Sequence, residues 1–201
     1  MAVVRLRAGG LVGSEEVIAT LKDGNRRFAT ANSTHRVYSP TDLSEMAQGQ
    51  TPIAAIVACA DSRVSPDIVF DQPLGSIFAS RVPGNVASDS AKWMIDIAIG
   101  VFQVPLVVVM AHSGCLAVHQ VVEGIDGPGG VLRQLVHEAF LEESKRPGPD
   151  LLERTINENA RKTCRDLMAE SKALSDAHRA GRTNIVAARF DIETGQVVWL
   201  D

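Results

Sequence analysis

The segment PLVVVMAHSGC, from Pro105 to Cys115, constrains this chain more than any other. Its first seven residues carry no polar side chain and include three valines in a row. The run is too short to span a membrane, and its β-branched content suits a strand buried on both faces. A strand covered on both faces sits in a sheet between layers of helices, so strands and helices should alternate around it. They do. Ile53–Ala58 and Ile77–Val82 are further short apolar runs, each followed at once by polar residues. Ser14–Ala31 places Val17, Leu21, Phe28 and Ala29 at helical spacing, with Ser14 as N-cap and Glu15–Glu16 in the first turn. A short helix is expected near 41–48, and Ser88–Phe102 sets Met94, Ile97, Ala98 and Val101 on one stripe. Further helices are expected over 114–123, 131–144 and 150–174. Asn184–Asp191 and Gln196–Leu200, joined through Glu193-Thr194-Gly195, read as a closing strand pair. The predicted class is α/β: a central, mostly parallel β-sheet flanked by helices, with an antiparallel C-terminal strand pair. One domain over 1–201 is expected, with an N-terminal helical arm at about 14–31.

Composition narrows the function classes. A chain of 201 residues with 45% hydrophobic content is long enough for one well-buried core. A net charge of -4 lacks the basic footprint that nucleic acid requires, so no nucleic-acid partner is expected. No run approaches the roughly 18 apolar residues of a spanning helix, so no membrane partner is expected. The opening MAVVRLRAGGLVG interrupts its apolar run with arginines and does not read as a signal peptide. Three cysteines, far apart at 59, 115 and 164, do not suggest a disulfide framework. Free thiols suit a reducing cytoplasm, the expected location.

Ligands of open parallel sheets bind beyond the carboxyl ends of the strands. Two motifs lie there: CADSR after the strand 53–58, and HSGC after the strand 105–111. Zinc takes tetrahedral nitrogen and sulfur ligands, and a catalytic zinc keeps three protein ligands with one open position. Cys59, His112 and Cys115 supply such a set; the bland alternative is two buried core thiols. Asp61 and Arg63 stand beside Cys59, where a carboxylate can order a water or itself take the fourth position. Arginine can hold that carboxylate by two hydrogen bonds. The alternative is an Asp–Arg pair capping a helix that begins near Pro66. Cys164 shares a helical stripe with Ile156 and Ala160 and reads as core, while His119 is the one rival ligand among the other histidines.

C-x-D-S-R followed some fifty residues later by H-x-x-C resembles the β-class carbonic anhydrases, of the plant-like and bacterial type. EEVIATLKDGNRRF, FDQPLGSIFASRVPGN and IVAARFDIETGQVVWL are similar to other segments of that family. The resemblance implies one Zn2+ per chain on Cys59, His112 and Cys115, with Asp61 and Arg63 as the catalytic dyad. It implies Gln50 and Phe78 as substrate-pocket residues, and Asp61 as a fourth ligand in a closed state. It also implies reversible hydration of carbon dioxide to bicarbonate and a proton, with zinc-bound hydroxide as nucleophile. A homodimer or homotetramer with its site at the dimer interface follows from the same likeness. Leu116 departs from the pattern, standing where the family usually has glycine, and Pro83 interrupts the common R-x-A-G-N. Two other readings stay open: a carbon disulfide or carbonyl sulfide hydrolase, an activity of related proteins on the same fold, or, with Leu116 blocking water, a zinc-bound structural subunit of low activity.

Overall fold

The computed structural model describes residues 12–125 and 130–200. Most of the opening segment read above as unlike a signal peptide, residues 1–11, lies outside them. Five strands form one sheet: β1 (Ala54–Ala58), β2 (Ile77–Arg81), β3 (Leu106–His112), β4 (Asn184–Phe190) and β5 (Val197–Leu200). Their order is β2-β1-β3-β4-β5. All neighbours are parallel except β4 and β5, which pair antiparallel. The α/β architecture expected from the apolar runs is the one found.

Every residue of β1 and β3 is buried, which explains their unbroken apolar sequence. Alternate side chains serve different layers. Ala55, Val57, Val107 and Val109 pack under α4 (Asp89–Gly100), α5 (Leu116–Val122), α6 (Gly130–Ser144), α7 (Leu151–Glu170) and α8 (Lys172–Arg179). Ala54, Ile56, Val108 and Met110 face the other way, towards α1 (Ser14–Ala29) and α3 (Pro66–Val69). A further helix, α2 (Pro40–Met46), starts with a capping box between Ser39 and Asp42 and has Pro40 at its first position.

The topology places a crevice. From β1 the chain crosses to β2 on one side, then returns past β1 to β3 on the other. The carboxyl ends of β1 and β3 therefore flank a topological switch point, where open α/β sheets bind ligands. Cys59 follows one of these strands, and His112 ends the other.

Three local expectations are corrected. Gly13, not Ser14, occupies the cap of α1, and Ser14 is its first helical residue. On α4 the buried arc is Ala91, Met94, Ile95, Ala98 and Ile99, while Ile97 and the C-capping Val101 stay exposed. That helix is apolar on most of its circumference, so spacing alone did not select the sheet-facing arc. The helix expected over 150–174 breaks at Ser171, whose backbone is extended and whose side chain caps α8 by accepting from Leu174 N–H. The Ser171 hydroxyl also donates to Asp96 Oδ1 at 2.6 Å, fixing the break against α4.

Candidate metal centre

Three side chains meet at the switch point. One ligand atom from each of Cys59, His112 and Cys115 lies within 4.8 Å of the others, and all three residues are buried. The two sulfurs are 3.9 Å apart. A disulfide would need about 2.05 Å. Two thiolates on one tetrahedral zinc, each at about 2.3 Å, would stand about 3.8 Å apart. The spacing fits the ion and not the covalent bond.

His112 has no exposed surface, and its Nδ1 lies 3.0 Å from the Ser113 carbonyl oxygen. A carbonyl only accepts, so in the neutral ring, the form that binds a metal, Nδ1 carries the proton and Nε2 keeps its lone pair. Nε2 is buried without a hydrogen-bond partner among the described residues. An orphaned imidazole nitrogen beside two thiols is costly unless a cation binds it. Holding the far ring nitrogen on a backbone carbonyl is the usual way a ligating histidine is oriented.

Without a metal the two thiols divide their protonation. Cys59 is held well below the usual thiol range, first by the Cys115 thiol as donor, with His112 and backbone N–H groups adding to the effect against burial. Cys115 moves the opposite way, because it is the donor to Cys59 and because it is buried. Burial works to keep His112 neutral, while the negative charge that gathers on Cys59 and Asp61 beside the ring draws a cation to this point and raises it. A second thiolate is disfavoured here until positive charge arrives, which suits a site built for a dication.

The first ligand loop is tied down by its neighbours. Gly84, in the turn Pro83–Asn85, donates its N–H to Cys59 Sγ at 3.4 Å. Gly84 has φ 69, and Pro83 opens the turn at a position whose N–H needs no helical partner. Pro83 therefore shapes this turn rather than depriving it of a bond. Arg81 donates to the Cys59 carbonyl at 3.2 Å and to the Asp61 carbonyl. Asp61 is held by Arg63 through two side-chain bonds of 2.9 and 2.7 Å, and Asp61 Oδ2 lies 3.9 Å from His112 Nε2. The Arg63 guanidinium, above all, holds the Asp61 carboxyl well below the usual carboxylate range.

The carbonic anhydrase family profile matches residues 54–197, which include all of these residues. Carbonic anhydrase 2 of Mycobacterium tuberculosis is 35% identical over 186 residues, covering 90% of each chain. The chain belongs to the β-class carbonic anhydrase family. Solved structures of the family share its fold. Two tetrameric β-carbonic anhydrases from the ascomycete Sordaria macrospora match with a TM-score of 0.69 at 19% identity, covering 92% of this chain and 96% of theirs. The Coccomyxa enzyme in complex with acetazolamide matches with a TM-score of 0.69 at 22% identity, covering 91% and 86%.

Two residues that the likeness to β-class carbonic anhydrases assigned to the pocket are not gathered at this centre within one chain. Gln50 precedes β1 and Phe78 is the second residue of β2, so both lie towards the amino edge of the sheet. Gln50 borders a separate cavity of about 840 Å³ with Tyr38, Leu43, Met46 and Leu74. Phe78 packs on Phe102, with ring centres 5.4 Å apart. His119 lies outside the ligand cluster among the described residues. Leu116, the departure beside Cys115, is the first residue of α5 and is 65% exposed. Sequence reasoning gave no role to Arg81, Ser113, Glu153 or Arg189 around the two ligand loops, although the quoted segments RVPGN, HSGC and IVAARF contain all of them but Glu153.

Proposed function

We propose that this chain catalyses the reversible hydration of carbon dioxide to bicarbonate and a proton, with Cys59, His112 and Cys115 holding one zinc ion. The observation that carries this reading is the meeting of two thiols and an unpartnered imidazole nitrogen within 4.8 Å. Zinc in such a site supplies a nucleophile at neutral pH by lowering the pKa of water from about 15.7 towards 7. Asp61 accepts a hydrogen bond from the attacking water and turns a lone pair towards the carbon of the substrate. Arg63 occupies both Asp61 oxygens, keeping the carboxylate ionised and outside the ligand set. Release of Asp61 from Arg63 would let it enter that set and close the site.

Gln50 and Phe78 line the pocket from a second copy of the chain in this reading, since their own copy holds them away from its cluster. Assembly is supported by an exposed apolar stripe of Trp93 and Ile97 on α4 and Val101 at its C-cap. The Sordaria enzymes are named as tetramers. Free thiols favour a reducing compartment, the cytoplasm. Among the described residues, no helix is long and apolar enough to cross a membrane.

Stopped-flow carbon dioxide hydration at about pH 8, with zinc quantified and mass measured by sedimentation on the same sample, tests the proposal. The expected result is fast turnover, one zinc per chain and no monomer. Zinc without turnover would redirect the reading to carbonyl sulfide or a structural subunit, and sulfide release assayed in parallel separates those two. Protein that binds no zinc would sink the metal site itself.

A further inference from the structure

The loop between His112 and Cys115 must reverse within two residues to bring Cys115 Sγ back beside Cys59. Gly114 makes the reversal with φ 62, and no atom lies within 4 Å of where a Cβ would stand. Glycine is needed there for its backbone conformation and not for space. Such a turn still has to be held. Ser113 is anchored to the end of β4: its N–H donates to Phe190 O at 2.9 Å, and its Oγ accepts from Ile192 N–H at 3.0 Å. Gly114 is anchored from elsewhere. Its N–H donates to Glu153 Oε1 at 3.0 Å, across 39 residues of chain. Glu153 lies in the first turn of α7, and its other oxygen pairs with Arg189 on β4.

We infer that Glu153 is a positioning residue for the metal centre, fixing Gly114 in the turn that presents the Cys115 sulfur to Cys59 and His112. The inference rests on reading those three residues as zinc ligands. A carboxylate is a strong acceptor for a backbone N–H, and α7 is a rigid platform for it because Ile156, Ala160 and Leu167 are fully buried under the sheet. The bond acts on the residue directly before a ligand, so its loss lets the sulfur drift while the rest of the fold stays in place. The competing role is a plain ion pair with Arg189 that ties α7 to β4.

The test compares Glu153→Ala with Arg189→Met. Zinc affinity is measured by competition with a chromophoric chelator, and the Gly114 amide signal by NMR on zinc-free protein. Glu153→Ala is expected to weaken zinc about tenfold or more, as loss of outer-shell support does elsewhere. The same variant should move the Gly114 amide upfield and speed its exchange. Arg189→Met is expected to leave the amide bonded and zinc affinity within about threefold, in keeping with a partly exposed ion pair. Equal weakening by both variants, or an unchanged Gly114 amide in Glu153→Ala, would overturn the assignment. Should Glu153→Ala fail to fold, Glu153→Asp keeps the charge for Arg189 and withdraws from Gly114 by one methylene. It is read in the same way. Wild-type protein that takes up no zinc refutes the ligand reading separately, and the Gly114 amide then decides the positioning role.

Discussion

The three cysteines do unlike things, and their surroundings say why. Cys59 and Cys115 point at each other and at an unpartnered histidine nitrogen, with charge-sensitive protonation. Cys164 sits on the sheet-facing side of α7, packed against the apolar core, and burial pushes its thiol up to about 12. At neutral pH it is an inert apolar group. Cys115→Ala should abolish stoichiometric zinc and slow carbon dioxide hydration by at least about 100-fold, more than loss of an outer-shell group. Cys164→Ala should keep both and lower stability by about 1 kcal/mol, in the ordinary range for a core truncation. Zinc content and turnover on the two purified variants check the pair; equal behaviour would mean the ligand set is misassigned. This contrast was legible in sequence, since Cys164 alone falls on a helical stripe.

At the scale of elements, close approach decides what local propensity cannot. Gly24 lies inside α1, where glycine weakens a helix by about 1 kcal/mol relative to alanine. The reason for it is tertiary: a Cβ there would stand 1.8 Å from the carbonyl oxygen of Phe70, just past α3. The neighbouring Asn25 uses the same closeness, donating to Val69 O and Gly195 O and accepting from Val197 N–H. One asparagine thereby ties α1 to both α3 and the β4–β5 turn. Gly24→Ala should lower stability by about 3 kcal/mol despite its better helix propensity, because the obstacle is backbone and not a flexible side chain. A reduced urea midpoint at unchanged slope is the expected reading; a raised midpoint would show that α1 can shift without cost. The break at Ser171 belongs to the same class, set by a cap and by a bond to Asp96 on another helix.

At the scale of the whole molecule, Asp71 is the charge on which the α1 side of the fold converges. It is buried, and it binds Arg27 at 2.5 Å, Thr34 Oγ1 at 2.7 Å and Arg36 at 3.1 Å. Burial alone would push its carboxyl up, but Arg27, Thr34 and Arg36 outweigh burial and hold it well below the usual range. A depressed folded pKa means the contribution is fully present above the unfolded value of about 3.9 and fades as pH falls below it. Asp71→Asn preserves tolerance of the left-handed backbone at this position, where φ is 45, and removes the charge. It should cost about 2 kcal/mol at pH 7, the scale of hydrogen bonds to a charged group. Urea midpoints measured from pH 7 down to 3 should show the gap between wild type and variant narrowing below about pH 4. A gap independent of pH would assign the loss to shape and not to charge.

The sequence by itself determined the strands, the parallel sheet and the strand ends that carry Cys59, His112 and Cys115. These depend on apolar runs and on the polar residues that stop them, which are local properties of the chain. Asp61 and Arg63 were equally legible, being two residues apart. Only the tertiary structure decided which arc of α4 faces the sheet, why Gly24 is glycine, and that Glu153 reaches Gly114. It also set Gln50 and Phe78 towards the amino edge of the sheet, away from the cluster of their own chain. Each of those depends on where elements distant in sequence come to lie against one another. That relation is fixed by packing the whole core, and no window of residues contains it.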